Sequence, residues 1–155
     1  MKMGTPLLAV RDLQASLAFY REVLGLELVS DYGANVVLTG GISLQTLETW
    51  AGFLDMGSED VIFGGNAGEI YFVAEDFDAF LKVLKDHPEA ELVRPPLEHR
   101  WGQRVVRLYD PDRHIVEVGE PLAAVAKRFR NAGLTEAGVA KRMDAPLESV
   151  RQWLK

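Results

Sequence analysis

The first half of the chain opens with a short apolar stretch, continues with an amphipathic segment and then shows three extended stretches. Residues 6–12 are mostly apolar up to Asp12, whose carboxylate can accept hydrogen bonds from the first turn of a following helix. Apolar residues recur at helical spacing after it, at Leu13, Leu17, Tyr20 and Leu24. Gly25 can adopt the left-handed conformation that ends a helix. Turn residues then separate three predicted strands, at 26–31, 35–39 and 42–47.

The second half of the chain repeats this order. Residues 70–74 predict a strand, and Asp76 can cap the helix that follows. One face of that helix is apolar and carries Phe77, Phe80, Leu81 and Leu84. Pro88 ends it. Three more strands are predicted, at 91–93, 103–109 and 114–118, with a turn at 110–113.

This repetition predicts two βαβββ modules in tandem and therefore an α+β fold. The modules span about residues 5–50 and 68–120. The glycine-rich stretch 64–68 is interpreted as the linker between them. Together they form one predicted domain over residues 1–121.

Residues 122–155 form a tail with a different composition. They hold seven Lys and Arg against three acidic residues, whereas residues 1–121 hold ten against twenty. A helix over 123–130 and two further helices around a turn at 144–146 resemble a helix-turn-helix. Glu148 on the last helix would repel phosphate, so a structural role is favoured over DNA binding. We expect the apolar tail positions to be buried, at Val125, Phe129, Val139, Val150 and Leu154.

Composition excludes several classes of protein. The chain has 155 residues, which suffices for one compact domain or two small modules. It has no cysteine, so disulfides, zinc ribbons and thiol catalysis are excluded. Its apolar stretches are too short to span a membrane and its start does not resemble a signal peptide, so we expect a cytoplasmic protein. The net charge of −6 argues against a dedicated nucleic-acid binder.

Two stretches make the sequence similar to the vicinal oxygen chelate superfamily, which includes glyoxalase I, bleomycin-resistance proteins, fosfomycin-resistance proteins and extradiol dioxygenases. The residues that carry the resemblance are 10–13, Ser16, Phe19, Tyr20, 23–26 and 109–117. The resemblance implies two curved sheets that form a half-open barrel around a cleft, and commonly a homodimer. It also implies a divalent metal in the cleft, held by one residue from the first and one from the last strand of each module.

The resemblance places the four metal-ligand positions at Thr5, Gln45, Glu69 and Glu117. Members that bind metal usually carry His or Gln, Glu or Gln, His and Glu there, so this chain departs from the pattern at Thr5 and Glu69. Without an imidazole, zinc and nickel would be held poorly, because they prefer nitrogen or sulfur donors. Gln45, Glu69 and Glu117 can offer oxygen ligands to Mg²⁺, Mn²⁺ or Ca²⁺. A divalent cation is thus possible, but this donor set favours a cleft without one.

The residues of a metal-free cleft follow from the same strands. Glu117 stands between two valines on an otherwise apolar strand, and Arg107 is the predicted partner for its charge. Glu117 and Glu69 are the candidate general acid or base residues. The side chains expected to bind a ligand are Trp101, Arg107, Tyr109 and Tyr71. We expect one cleft to collect Gln45, Glu69, Arg107 and Glu117, with Trp101 at its rim.

The sequence favours a protein of the glyoxalase and bleomycin-resistance type that binds a small molecule in the cleft between its modules and has a degenerate metal site. One alternative is a divalent-metal-dependent lyase or isomerase of the glyoxalase type, acting on a small oxygenated substrate. A second alternative is a DNA-binding regulator that uses the tail. The residues alone leave open whether the chain is an enzyme and which molecule it binds.

Overall fold

The computed structural model describes residues 1–155 and confirms the α+β fold, with two tandem βαβββ arrangements and a helical C-terminal tail. The first arrangement comprises β1 (Leu7–Val10), α1 (Leu13–Glu22), β2 (Leu28–Asp31), β3 (Asn35–Leu38) and β4 (Ile42–Thr46). A short helix, α2 (Leu47–Phe53), and one 3₁₀ turn (Ser58–Asp60) follow. The second comprises β5 (Ile70–Val73), α3 (Phe77–Asp86), β6 (Leu92–Glu98), β7 (Arg104–Tyr109) and β8 (Ile115–Gly119). The tail comprises α4 (Leu122–Asn131), α5 (Glu136–Met143) and α6 (Leu147–Trp153).

Each arrangement forms a four-stranded sheet, and the two sheets share one strand order. The order is β1-β4-β3-β2 in the first sheet and β5-β8-β7-β6 in the second. β1 runs parallel to β4, whereas β3 is antiparallel to both of its neighbours. By contacts, the chain divides into two compact units. The first unit is Met1–Ile70 with His87–Glu91 and Tyr109–Ile115, and the second is Tyr71–Asp86 with Leu92–Leu108 and Val116–Lys155.

Two elements differ from the sequence-based prediction. β6 runs to Glu98, well beyond the predicted 91–93, although it contains Pro95 and Pro96. Prolines are tolerated there because β6 is an edge strand, whose outer side needs no ladder donors. Helix α2 was not predicted, since residue 47 was assigned to the preceding strand. Its N-cap residue is Thr46, a type favoured at helix starts, but the Thr46 side chain accepts no hydrogen bond from the first turn.

The core of the first unit lies between one face of the first sheet and α1. The sheet contributes Val36, Leu38, Ile42 and Leu44, all at most 1% exposed. Along β3 the buried Val36 and Leu38 alternate with the half-buried Asn35 and Val37, whereas β4 is buried on both faces because Ser43 and Gln45 are buried too. From α1 the fully buried Tyr20 completes this core.

The two long helices of the body begin where the sequence predicts. Asp12 Oδ1 accepts hydrogen bonds from the backbone N–H of Gln14 at 2.9 Å and of Ala15 at 3.0 Å. Asp76 Oδ1 accepts one from the backbone N–H of Ala79 at 2.8 Å. These bonds satisfy amides of the first turn, which have no partner within the helix.

The turn between β7 and β8 is built around Asp110, whose side chain is fully buried. Its Oδ1 accepts from the backbone N–H of Asp112 at 3.0 Å and of His114 at 2.8 Å. Its Oδ2 accepts from the Tyr20 hydroxyl at 3.0 Å and lies 2.8 Å from His114 Nδ1. Burial and the charge of Asp110 raise the pKa of Tyr20, so the phenol keeps its proton and its role as donor. His114 was expected on the last strand, but these bonds hold it in the turn.

The tail helices pack around an apolar cluster of their own. Its buried members are Val125, Ala126, Val139, Met143 and Val150, and Phe129 and Leu154 pack against it. On α6, Arg151 lies 3.3 Å from Glu136 and 3.8 Å from Glu148, so its charge is balanced within the tail. The predicted apolar positions are therefore packed together, and this packing favours the structural role.

The tail meets the second sheet at a contact that we call the tail junction, formed by residues 101–103 and Glu120 on one side and Arg128 and Phe129 of α4 on the other. The Glu120 carboxylate accepts from Arg128 at 2.6 Å and from Arg104 at 3.2 Å. The Phe129 ring lies over Gly102, where a Cβ atom would overlap it. Arg128 also donates to the Gly102 carbonyl, so α4 is held by the two contacts of Arg128 and by the Phe129 ring.

Alanine at Gly102 should destabilise the protein more than alanine at Gly133. The two glycines have φ angles of +91° and +95°, so both substitutions carry a similar backbone strain of about 1–2 kcal/mol. Only at Gly102 does the added methyl meet the Phe129 ring, whereas nothing lies within 4 Å of a Cβ at Gly133. We expect Gly102→Ala to lose a further ~1–3 kcal/mol from overpacking, measured by urea unfolding. Equal losses would show that Phe129 does not pack there.

The charged contact at the tail junction should make stability depend on pH in the acid range. Burial favours a raised pKa for Glu120, but hydrogen bonds from Arg128 and Arg104 outweigh burial and hold the pKa below its ordinary value. Such a carboxylate stabilises the fold above its unfolded pKa of about 4.3, and this contribution disappears as the pH falls through the folded pKa.

We therefore expect the Tm advantage of the natural chain over Glu120→Gln to be full near neutral pH and to shrink below about pH 4.5. Calorimetry from neutral pH down to about pH 3 measures it. Glu22→Gln, on an exposed position of α1, is the control and should give no such dependence. A Tm difference for Glu120→Gln that stays constant over this range would contradict the prediction.

Candidate functional site

One face of the second sheet is exposed along β5. Tyr71 and Val73 are 46% and 53% exposed, whereas Ile70 and Phe72 are partly buried. The alternation follows from strand geometry, which turns successive side chains to opposite faces. At the end of β8, a Cβ on Gly119 would lie 2.9 Å from the Tyr71 ring. The absence of a side chain at this position lets the phenol lie against the strand.

Arg107 of β7 and Glu117 of β8 form an ion pair, as the sequence predicts. The side chain of Glu117 is 9% exposed and that of Arg107 is 25% exposed, so the carboxylate lies deeper than the guanidinium. Val116 and Val118 are buried on the other face of β8. We refer to Tyr71, Val73, Arg107, Glu117 and Gly119 as the open face of the second sheet.

Tyr71 supplies a neutral polar group to the open face. Its hydroxyl oxygen accepts a hydrogen bond from Gln103 Nε2 at 2.9 Å. Burial raises the pKa of the phenol, the hydrogen bond from Gln103 opposes part of this shift, and the charge of Glu117 adds to it. The phenol is therefore protonated at neutral pH and has its own hydrogen to donate.

Gln45 lies in the first sheet and is buried at 4% exposure. Its Oε1 accepts from Asn35 Nδ2 at 2.8 Å, and Asn35 is its cross-strand partner in the register of β3 and β4. Its Nε2 donates to the Thr49 hydroxyl on α2. Both ends of the amide are therefore engaged within the first unit.

Two of the predicted metal positions lie outside the strands. Thr5 precedes β1 and is exposed. Glu69 precedes β5, is also exposed, and borders a shallow pocket of about 270 Å³ together with Leu8 and His114. Thr5, Gln45 and Glu69 belong to the first unit, whereas Glu117 belongs to the second.

The residues at these four positions do not fit a divalent metal. The oxygen that Gln45 would offer already accepts a hydrogen bond from Asn35. Glu117 is paired with a guanidinium, whose positive charge opposes a cation at the same carboxylate. No group of three or more His, Asp or Glu side chains in the chain is arranged to hold a metal ion. The open face therefore offers a pair of opposite charges where the family resemblance implies a metal ligand.

Trp101 and Tyr109 were also expected to bind a ligand, and each has neighbours within its own unit. Trp101 packs against the tail cluster, and its ring stacks on His99 at a centroid distance of 4.1 Å. Tyr109 lies beneath the Arg113 guanidinium, 4.0 Å from its ring centroid, and borders a pocket of about 570 Å³ beside Phe19 of α1. Of the four side chains expected to bind a ligand, Arg107 and Tyr71 lie on the open face, and the binding role of all four stays a prediction.

Gln103 was missed in the sequence. It is 7% exposed and donates both to the Tyr71 hydroxyl and, at 2.8 Å, to the Glu120 carbonyl. Its Oε1 accepts from Trp101 Nε1 at 3.1 Å. One feature of the sequence distinguishes Gln103: it follows Gly102 at the start of a predicted strand. Two of its partners, Tyr71 and Glu120, are distant in sequence.

A family model described as the glyoxalase-like domain matches residues 3–123. The chain belongs to this family. The match covers both βαβββ arrangements and confirms the resemblance to the glyoxalase, bleomycin-resistance and dioxygenase superfamily. Residues 124–155, which include most of α4 and all of α5 and α6, lie beyond the matched domain.

Solved structures similar to this glyoxalase-like chain include one of unknown function and two that carry a functional name. A protein of unknown function from Agrobacterium tumefaciens is 33% identical, with 77% of this chain and 94% of that one covered and a TM-score of 0.69. A lactoylglutathione lyase from Agrobacterium tumefaciens is 25% identical, with 78% and 94% covered and a TM-score of 0.56. A fosfomycin resistance protein from Listeria monocytogenes shares the fold at 18% identity, with 77% and 93% covered and a TM-score of 0.57. No curated protein matches the chain. None of its helices is long and apolar enough to cross a membrane.

Proposed function

We propose that this glyoxalase-like protein binds a small, neutral, oxygenated molecule on the open face of the second sheet without a divalent metal. The observation that carries the proposal is the ion pair between Arg107 and Glu117. It puts a hydrogen-bond donor and an acceptor side by side on a surface that belongs to a family of small-molecule-binding proteins.

The chemistry of the open face favours an uncharged ligand. Glu117 balances the charge of Arg107, so the site has no excess positive charge for an anion. A guanidinium carries several N–H donors, so Arg107 can donate to a carbonyl or hydroxyl oxygen in addition to Glu117, and the Tyr71 phenol can donate to a second oxygen. The exposed Val73 and the Tyr71 ring supply apolar contact area. A compact aromatic ketone or alcohol fits these groups.

Binding without turnover is the main proposal, and a metal-dependent lyase is the second candidate. The similarity to a lactoylglutathione lyase supports the second candidate. In that case a cation such as Mg²⁺, Mn²⁺ or Ca²⁺ would have to displace Asn35 from Gln45 or Arg107 from Glu117. The Arg107 pair supports the first candidate. Family resemblance also supports a homodimer, which light scattering after size exclusion can measure.

Titration of ¹⁵N-labelled protein with 2-hydroxyacetophenone tests the main proposal. We expect the amide signals of Val73, Arg107 and Gly119 to shift, with mandelate as the anionic and toluene as the apolar comparator binding more weakly. Arg107→Met should weaken binding about tenfold or more, because a hydrogen bond to a charged group is lost. Arg113→Met is the matched control, since Arg113 also pairs with a glutamate but lies in the first unit.

Two further measurements keep this test decisive. The double variant Arg107→Met with Glu117→Gln removes both charges, so a loss of binding cannot come from a buried unpaired carboxylate. Calorimetric titration with Mn²⁺ and Ni²⁺, followed by an assay of hemithioacetal isomerisation, tests the metal-dependent candidate. Tight metal binding with turnover, or failure of 2-hydroxyacetophenone to shift any signal of the open face, would contradict the main proposal.

A further inference from the structure

Gln103 connects the open face to the tail through hydrogen bonds to three partners. Its Oε1 accepts from Trp101 Nε1 at 3.1 Å, and its Nε2 donates to the Tyr71 hydroxyl at 2.9 Å and to the Glu120 carbonyl at 2.8 Å. The residue is 7% exposed, so water does not compete for these bonds as it would at the surface. Every polar atom of the amide is engaged.

These bonds determine which way the Gln103 amide points. The Trp101 indole can only donate, so the amide oxygen must face it. The amide nitrogen must then face Tyr71 and Glu120, which present oxygen atoms. The Tyr71 oxygen is thereby used as an acceptor, and its own hydrogen points to a different partner. The direction of the Tyr71 O–H bond therefore depends on an interaction made by Trp101.

Trp101 is in turn held by the tail. It packs against the tail cluster, and the residue that follows it, Gly102, lies under the Phe129 ring. The Glu120 carbonyl accepts a hydrogen bond from the Gln103 amide. The Glu120 carboxylate pairs with Arg128, which lies on α4 together with Phe129. Residues on both sides of Gln103 are thus fixed by α4, most of which lies beyond the matched domain.

We infer that Gln103 is a positioning residue that aims the Tyr71 hydroxyl at the ligand, and that the tail controls ligand binding by holding Trp101, Gly102 and Glu120 around it. This inference rests on the proposed binding of a ligand at the open face. It assigns the tail a role at the small-molecule site, in addition to its packing.

A double-mutant cycle tests the action of Gln103 through Tyr71. Gln103→Leu replaces the amide with a shorter apolar side chain and so removes both its donor and its acceptor, and we expect it to weaken the binding of 2-hydroxyacetophenone about five- to tenfold. Tyr71→Phe should weaken binding by a similar factor, and adding Gln103→Leu to it should have little further effect. Equal weakening by Gln103→Leu in both backgrounds would overturn the inference, because Gln103 would then act without the hydroxyl.

The titration of Tyr71 in the ligand-free protein tests this inference independently of the proposed function. Tyrosine labelled at Cζ with ¹³C reports the titration of Tyr71, assigned by its absence in Tyr71→Phe. Because the hydrogen bond from Gln103 lowers the pKa of the Tyr71 phenol, Gln103→Leu should raise that pKa further. Failure of ligand binding with this shift present would reject the proposed function and leave the link from Gln103 to Tyr71 standing, whereas no shift would reject the link.

The control by the tail is tested in the full chain with two matched truncations. Phe129→Ala removes the ring above Gly102, whereas Leu134→Ala removes an apolar side chain that packs against the same tail cluster. We expect Phe129→Ala to move the Tyr71 Cζ signal and to weaken binding, and Leu134→Ala to do neither while lowering the Tm. Equal shifts of the signal in both variants, or none in either, would overturn the role of the tail.

Discussion

Replacing Asp110 with alanine should lower the free energy of unfolding by about 3–5 kcal/mol, the largest single loss that we expect in the body of the protein. The substitution leaves the fully buried Tyr20 hydroxyl without its acceptor and removes the acceptor for two backbone amides of the turn. Each unsatisfied buried group costs about 1–3 kcal/mol. Urea unfolding followed by circular dichroism measures the loss.

Two comparison variants show where this loss arises. Tyr20→Phe removes one hydroxyl and should cost about 1 kcal/mol, since only one hydrogen bond is lost. Asp86→Ala, at the exposed end of α3, should change stability by less than about 0.5 kcal/mol. If Asp110→Ala were as mild as Asp86→Ala, the carboxylate would not organise the turn.

Aspartate in place of Val139 should unfold the tail and cost about 4 kcal/mol or more, because an unpaired charge would enter a fully buried site. Val139 lies in the cluster formed by α4, α5 and α6. Phe129 and Arg128 would lose their place against the sheet, so solvent would reach the tail junction. Hydrogen exchange of the amides of residues 101–103 should rise together with that of the tail.

Ala137→Asp is the matched control on the same helix. Ala137 is exposed and lies near the start of α5, where a negative charge is favourable. The Ala137→Asp variant should therefore be as stable as the natural chain or slightly more stable. If the tail binds DNA instead, Val139→Asp should affect DNA binding and leave stability unchanged. A Val139→Asp chain that keeps its full stability but loses a salt-sensitive, sequence-selective affinity for DNA would show that the tail reads DNA.

The features that the sequence predicted best depend on neighbours along the chain. Asp12 and Asp76 act as caps because the amides they bind follow within three residues. Strand alternation was enough to place Glu117 apart from its valine neighbours and to give it Arg107 as a partner. Local spacing carries this information, and it is present in one sequence.

The features that the sequence missed depend on partners far along the chain. The apolar surroundings of Trp101 come from the tail helices, more than twenty residues later in the chain. Gln103 binds Tyr71 on β5 and the carbonyl of Glu120 at the end of β8. No pattern in the residues around Gln103 distinguishes this glutamine from an exposed one, because its partners Tyr71 and Glu120 are distant in sequence.

The metal-ligand positions that the family resemblance implies show a different limit of prediction from sequence. Gln45 and Glu117 lie on the last strand of each arrangement, whereas Thr5 and Glu69 precede the first strands. The chemistry of each position is decided by what its side chain touches, and Asn35, Thr49 and Arg107 were the deciding neighbours. Of these, only Arg107 was identified from the residues.

The edge strands β2 and β6, one in each sheet, are interrupted in ways that hinder the addition of a strand from another molecule. An open edge is a template on which a strand from another molecule can add, and a regular ladder promotes such growth. β6 carries two consecutive prolines, which have no N–H to donate, and its register with β7 shifts twice. β2 has a register shift between Leu28 and Ser30, where apolar side chains are exposed. Both edges are therefore interrupted where an incoming strand would need evenly spaced partners, so concentrated samples should not form fibrils through them.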